Sequence, residues 1–164
     1  MPPQAVFGIS VAFSFVVWGI VTYHYVWPAL RSKLRANALR PILLLHSFRF
    51  VGLAFLVPGV VSPELPMAFA GPAAYGDLAT AILAVLAFAT LWSPLGLILV
   101  GRSTFSALPI CSKGNRTGLG LAPGLQGAAY FIPTVLVPLL LITHGLVFRL
   151  LLKGRTPGDH GAST

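Results

Sequence analysis

Between Ala5 and Trp27 the chain runs for 23 residues without an Asp, Glu, Lys or Arg. A helix rising about 1.5 Å per residue needs roughly 20 such residues to cross a hydrocarbon layer. In lipid every backbone N–H and C=O must be satisfied inside the segment, so a stretch of this kind admits a helix and little else. Further apolar stretches follow at about 41–61, 78–100 and 127–152. Only 9% of the 164 residues are charged, against about 25% in a soluble domain, which disfavours both a soluble enzyme and a disordered chain. The expected class is all-α, an integral membrane bundle of four transmembrane helices. It forms one domain over residues 1–155, followed by a polar tail at 156–164. Met-Pro-Pro-Gln at the start carries no basic side chain, so the first span reads as a retained anchor and not a cleaved signal.

The connectors set an expected orientation. Arg31, Lys33, Arg35 and Arg40 follow the interfacial group Tyr23, Tyr25, Trp27 and Pro28, and Pro41 suits the first turn of a second helix. Residues 62–77 are rich in Pro, Gly and Ala, which predicts a turn-rich or re-entrant loop, with Asp77 capping the next helix. Gly76, Thr80 and Ala84 then place small residues on one face of the third span. Residues 101–126 read as a long polar connector with Arg102, Lys113 and Arg116, and Pro133 and Pro138 are expected to bend the last span. The first and third connectors hold seven bases and the second holds Glu64 and Asp77. By the positive-inside rule this puts both termini outside, with Lys153 and Arg155 pulling the other way. The net charge of +8 therefore reports loop topology, and no nucleic-acid partner is expected. The expected partners are the lipid bilayer, other membrane subunits or further copies of the chain. The Ala, Gly and Pro richness and the lack of a visible organelle-targeting segment point to a bacterial cytoplasmic (inner) membrane.

Arg49 carries the most chemistry. It falls near the middle of the second span, where an arginine without a partner costs several kcal/mol. Its candidate counter-charges are Asp77 and Glu64, both on the outer side, so the Pro-rich loop would have to dip inward to reach it. A functional site and a structural ion pair are equally open at this point. His46, three residues before Arg49, shares its face. His24 lies in the same half of the bilayer, and on antiparallel neighbours the two would suit the axial positions of a b-type haem. Against that, His24 falls near the interfacial aromatics, where a histidine is commonly just solvated by headgroups and water. His144, in the outer half of the last span, is at the wrong depth for that pair. It would meet Asp77 or Tyr75, or bond a carbonyl freed by Pro138.

Metal binding has no support in the spacing, with no Cys-x-x-Cys and no His-Glu-x-x-His. Cys111 is a lone loop thiol. Residues 112–118 contain phosphate-loop residue types without their order, and the sequon Asn115-Arg116-Thr117 falls on the cytoplasmic side of this arrangement. No catalytic residue is assigned and an enzyme is not expected.

Three blocks carry a resemblance: Arg49-Phe-Val-Gly52-Leu-Ala-Phe55-Leu56; Leu65-Pro66 through Phe69, Pro72 and Gly76 to Asp77; and Ile132-Pro133-Thr134 through Val137-Pro138 to His144. Together they cover about half of the chain and resemble a group of small bacterial polytopic inner-membrane proteins with no assigned activity. The resemblance implies four membrane helices and brings no chemistry. Residues 101–124 depart from it, being more polar than the connector usual there. If the blocks form one feature, Arg49, Asp77 and His144, with Glu64 and Tyr75 nearby, line an outward-opening polar cleft for an anion, a quinone headgroup, another small polar ligand or a proton. The expected function is a non-catalytic membrane protein, either an accessory subunit of a membrane assembly or a small-ligand binder at this cluster. The alternatives are a haem- or quinone-binding electron-transfer protein using His24 and His46, and a small oligomeric transporter.

Overall fold

A computed structural model describes residues 1–91, Ile98 and 123–152. The described residues are helical throughout, apart from short connections, and include four helices long and apolar enough to cross a membrane. The expected end of the third span beyond residue 91, the connector through residue 122, Cys111 and the polar tail lie outside the described residues.

Proline places most of the irregularities. Pro3 starts α1 (Pro3–Val21), where its missing N–H costs nothing. Pro28 has no N–H for the carbonyl of His24, and the helix widens into a π turn over Thr22–Val26 before α2 (Trp27–Arg31). The Trp27 N–H accordingly bonds back to the Thr22 carbonyl. The last span repeats the device. After a 3-10 turn at Gly127–Tyr130, Pro138 follows a π turn over Ile132–Leu136 and opens α5 (Val137–Leu152).

The second and third helices start earlier than composition suggests. α3 (Arg35–Ser47) holds Pro41 in its interior and not in its first turn. Ala38 and Leu39 are fully buried there, and Arg35 Nη2 donates to the Leu151 carbonyl at 2.9 Å, so tertiary contact secures the turn ahead of the proline. α3 continues as a nine-residue 3-10 helix over Phe48–Leu56. α4 (Met67–Ala89) begins where a loop was expected and runs through Gly71, Pro72 and Gly76. Pro72 forfeits one helical hydrogen bond. The offsetting gain is an Ala-rich face, with Ala70, Ala73, Ala74, Ala81, Ala84 and Ala87 buried, that packs most extensively on the 3-10 helix.

Contacts between helix ends fix the directions. Phe7 stacks edge-on to Tyr130 with centroids 5.8 Å apart, and Arg149 lies over Trp27 at 4.0 Å. The first span and the last therefore run parallel. At one end of the bundle the Ser62 N–H donates to the Leu125 carbonyl at 2.9 Å and the Ala128 N–H to the Val60 carbonyl at 2.8 Å. Gly127 makes this approach possible with φ +49°, because a Cβ there would run into the Val60 carbonyl. The other end gathers Arg31, Lys33, Arg35 and Arg149. The bundle thus has a basic end and a loop end, with Met1 at the loop end and Leu152 at the basic end. The expected four apolar helices are present among the described residues, whereas the described ends of the chain lie at opposite faces and not both on one.

Two apolar clusters divide the interior. Leu39, Ile42, Leu43, Ala87, Leu91, Val147 and Leu150 meet toward the basic end. Phe55, Leu65, Ala70, Ala73, Ala129 and Ile132 meet toward the loop end. Between these clusters, on α3 and its 3-10 extension, on α4 and on α5, lie the polar side chains His46 and Arg49, Asp77 and Thr80, Thr143 and His144, among buried alanines such as Ala74, Ala81 and Ala84. A polar group of side chains thus lies between two oily clusters.

Candidate functional site

The 3-10 geometry builds the first wall of this polar group. With three residues per turn, positions i and i+3 eclipse, so Arg49, Gly52 and Phe55 form one stripe facing α4. Phe55 meets Phe69 edge to face at 5.7 Å. Arg49 Nε donates to Asp77 Oδ1 at 2.8 Å, and Nη2 donates to the same oxygen. Gly52 supplies the room, since a Cβ there would lie 2.8 Å from Asp77 Cβ and collide with its Oδ2. Asp77 is ten residues into α4, about 15 Å from its start. The pair is well buried, with side-chain exposures of 10% for Arg49 and 17% for Asp77.

α3 and α5 form the second wall. His46 and His144 are both buried, with ring centroids 4.5 Å apart and planes tilted by 36°. His46 Nε2 is hydrogen-bonded to the Thr143 hydroxyl at 3.0 Å, and the same hydroxyl lies within bonding distance of the Leu139 and Leu140 carbonyls. His144 Nδ1 is 2.6 Å from the Leu140 carbonyl, which only accepts, so Nδ1 carries the hydrogen. A neutral His144 therefore turns a lone pair outward at Nε2, and among the described residues this buried atom has no partner. His46 and Arg49 stand three residues apart on α3 and its 3-10 extension, which ties the two walls into one cluster.

The structure thus brings together Arg49, Asp77, His46 and His144. It leaves Glu64 exposed in the connection before α4, its N–H bonded to Ser62 Oγ, and Tyr75 exposed on α4. No inward dip of a loop is needed, because Asp77 reaches Arg49 from within a helix. His24 is exposed and packs edge-on to Tyr23 at 5.0 Å. The neighbour of His46 is His144 instead, and rings 4.5 Å apart leave no space for a porphyrin between them, so these residues do not fit a bis-histidine haem. No group of three metal-ligating side chains occurs among the described residues.

Three contributors were not singled out from the sequence. Gly52 was legible in principle, as a small residue three positions from a mid-span charge. Thr143 is adjacent to His144, but its part depends on the tautomer of a residue on another helix. Gln126 is fully buried near the loop end with both amide atoms unpartnered among the described residues, and no spacing marks it.

Four apolar spans, three of which meet at a charged pair and two histidines, define a helical bundle of membrane-spanning type with a polar middle. The family described as a domain of unknown function, DUF8737, matches residues 6–152, and the chain belongs to it. No curated protein and no solved structure matches the chain.

Proposed function

We propose that this is a non-catalytic, multi-pass membrane protein that binds a small hydrogen-bond-donating molecule, such as a quinol or another hydroxyl compound, at His144 beside the Arg49–Asp77 pair. The observation that carries the reading is the buried Nε2 of His144, which has no partner among the described residues. A buried acceptor left without a donor costs on the order of 1–3 kcal/mol, and a ligand hydroxyl removes that cost. The fixed tautomer favours a donor over an anion at this atom. Arg49 and Asp77 offer both hydrogen-bonding senses to the rest of a polar headgroup. The test is to purify the wild type and His144→Phe in a mild detergent, extract each with organic solvent and identify what is released by mass spectrometry. The expected result is a hydroxyl-bearing compound near one equivalent in the wild type and depleted about tenfold in the variant at equal stability. Release of the same compounds in equal amounts from both proteins overturns the reading.

The membrane setting is supported by the outer surface, where Phe13, Val16, Ile20, Ile82 and Val85 are exposed over faces that water would not tolerate. We assign the basic end to the cytoplasm by the positive-inside rule, in a bacterial cytoplasmic membrane on composition alone. In a chain with Cys111 replaced by serine, a membrane-impermeant maleimide applied to intact cells is expected to label Glu64→Cys and not Ser32→Cys. The reverse pattern inverts the orientation, and labelling of neither after lysis contradicts the exposed placement of both.

A further inference from the structure

At the basic end, α5 and the first span part to leave an open cleft of about 630 Å³ lined by Trp27, Gly145, Phe148, Arg149 and Leu152. We propose that this cleft binds one anionic phospholipid, its phosphate against Arg149 and an acyl chain along Gly145. The proposal rests on the membrane-spanning reading above and is independent of the ligand at His144.

Gly145, Phe148, Arg149 and Leu152 recur at three- and four-residue spacing and so share one face of α5. Gly145 forms the open floor, for a Cβ added there would meet nothing within 4 Å. The Arg149 guanidinium lies 4.0 Å from the centroid of the Trp27 ring. Stacking occupies the face of the guanidinium and leaves its N–H edge for an oxygen anion, a fork that matches phosphate. Depth agrees with the assignment. Arg149 is about 5 Å from the end of α5 and Gly145 about 10 Å, which are headgroup and acyl levels respectively when this end lies at an interface.

Charge selects the headgroup. Arg31, Lys33 and Arg35 lie at the same end, whereas the described acids, Glu64 and Asp77, lie in the loop-end connection and the middle layer. Basic pockets between helices at a cytoplasmic interface favour anionic over zwitterionic lipid by roughly 1 kcal/mol per neighbouring cation, or about fivefold. The apolar remainder of the lining, Trp27, Phe148 and Leu152, selects a lipid over a free phosphate.

Native mass spectrometry of the full chain in mild detergent tests this, with dioleoylphosphatidylglycerol, dioleoylphosphatidylcholine and glycerol 3-phosphate as probes. The first equivalent of the glycerol lipid is expected to bind at least about fivefold more tightly than the choline lipid. Arg149→Gln is expected to erase that preference. Gly145→Leu, which fills the floor, is expected to weaken both lipids. Both positions are exposed, so neither change removes core packing. Equal binding of the two lipids, or indifference to both substitutions, overturns the proposal. Glycerol 3-phosphate binding as tightly as the glycerol lipid overturns the lipid source. Recovery of the chain in the soluble fraction of lysed cells, without detergent, would instead defeat the membrane reading itself.

Discussion

Asp77→Leu is expected to lower stability by about 3–5 kcal/mol, because it strands the Arg49 guanidinium in the middle of the bundle without its counter-charge. The two side chains are 10% and 17% exposed, so little solvent screens the loss. Arg49→Leu should cost a comparable amount by stranding the carboxylate. Removing both is a different experiment: Arg49→Leu with Asp77→Leu leaves two apolar side chains and no uncompensated charge, and replacements of this kind are often neutral or stabilising. Most of the lost stability should therefore return in the double variant. Thermal unfolding in one detergent, followed by loss of the monodisperse peak in size exclusion, measures all four chains. A single variant as stable as the wild type, or a double variant as poor as the worse single, would show that the pair does not hold the third span to the second. The folded double variant also separates structure from binding, since the molecule expected at His144 should then be weakened by loss of its second contact surface while the fold survives.

Arg49 and Asp77 also show how far the residues alone reach. The demand for a partner at Arg49 was legible, because a charge in a long apolar run is costly wherever the helix ends fall. The identity of the partner was nearly legible, as the chain has three acids. The depth of Asp77 was not. Gly71, Pro72 and Gly76 lower local helix propensity, and what overrides them is an alanine face that closes on the 3-10 helix, a gain that exists only once both elements are present. The meeting of His46 with His144 was hidden for another reason. Four spans counted as an alternating series send the last one outward and put His144 at the wrong depth. Phe7 against Tyr130 and Trp27 against Arg149 instead run it parallel to the first, which brings the two imidazoles level. Hydropathy reports that a segment crosses and is nearly silent about its direction.

Gly52→Ala is expected to be strongly destabilising although it adds a single methyl group. Its Cβ would lie 2.8 Å from Asp77 Cβ and closer still to the carboxylate, and neither obstacle is the loose end of a long side chain. Asp77 is fixed by its bond to Arg49, so either α4 moves off the 3-10 stripe or the carboxylate turns away from the guanidinium. The first route opens the contact that holds Phe55 against Phe69, and the second desolvates a charge without a partner. Overpacking alone costs about 1–3 kcal/mol, and disturbing the ion pair adds to it. Gly71→Ala is the control, because its added methyl meets nothing within 4 Å, and alanine is favoured over glycine in a helix by about 1 kcal/mol. The two substitutions insert the same atom into helical backbone and should move the thermal midpoint in opposite directions. Equal shifts would mean that Gly52 is ordinary helical backbone. A fall confined to Gly52→Ala would mean that the close approach of the second and third spans is set by the width of one carboxylate.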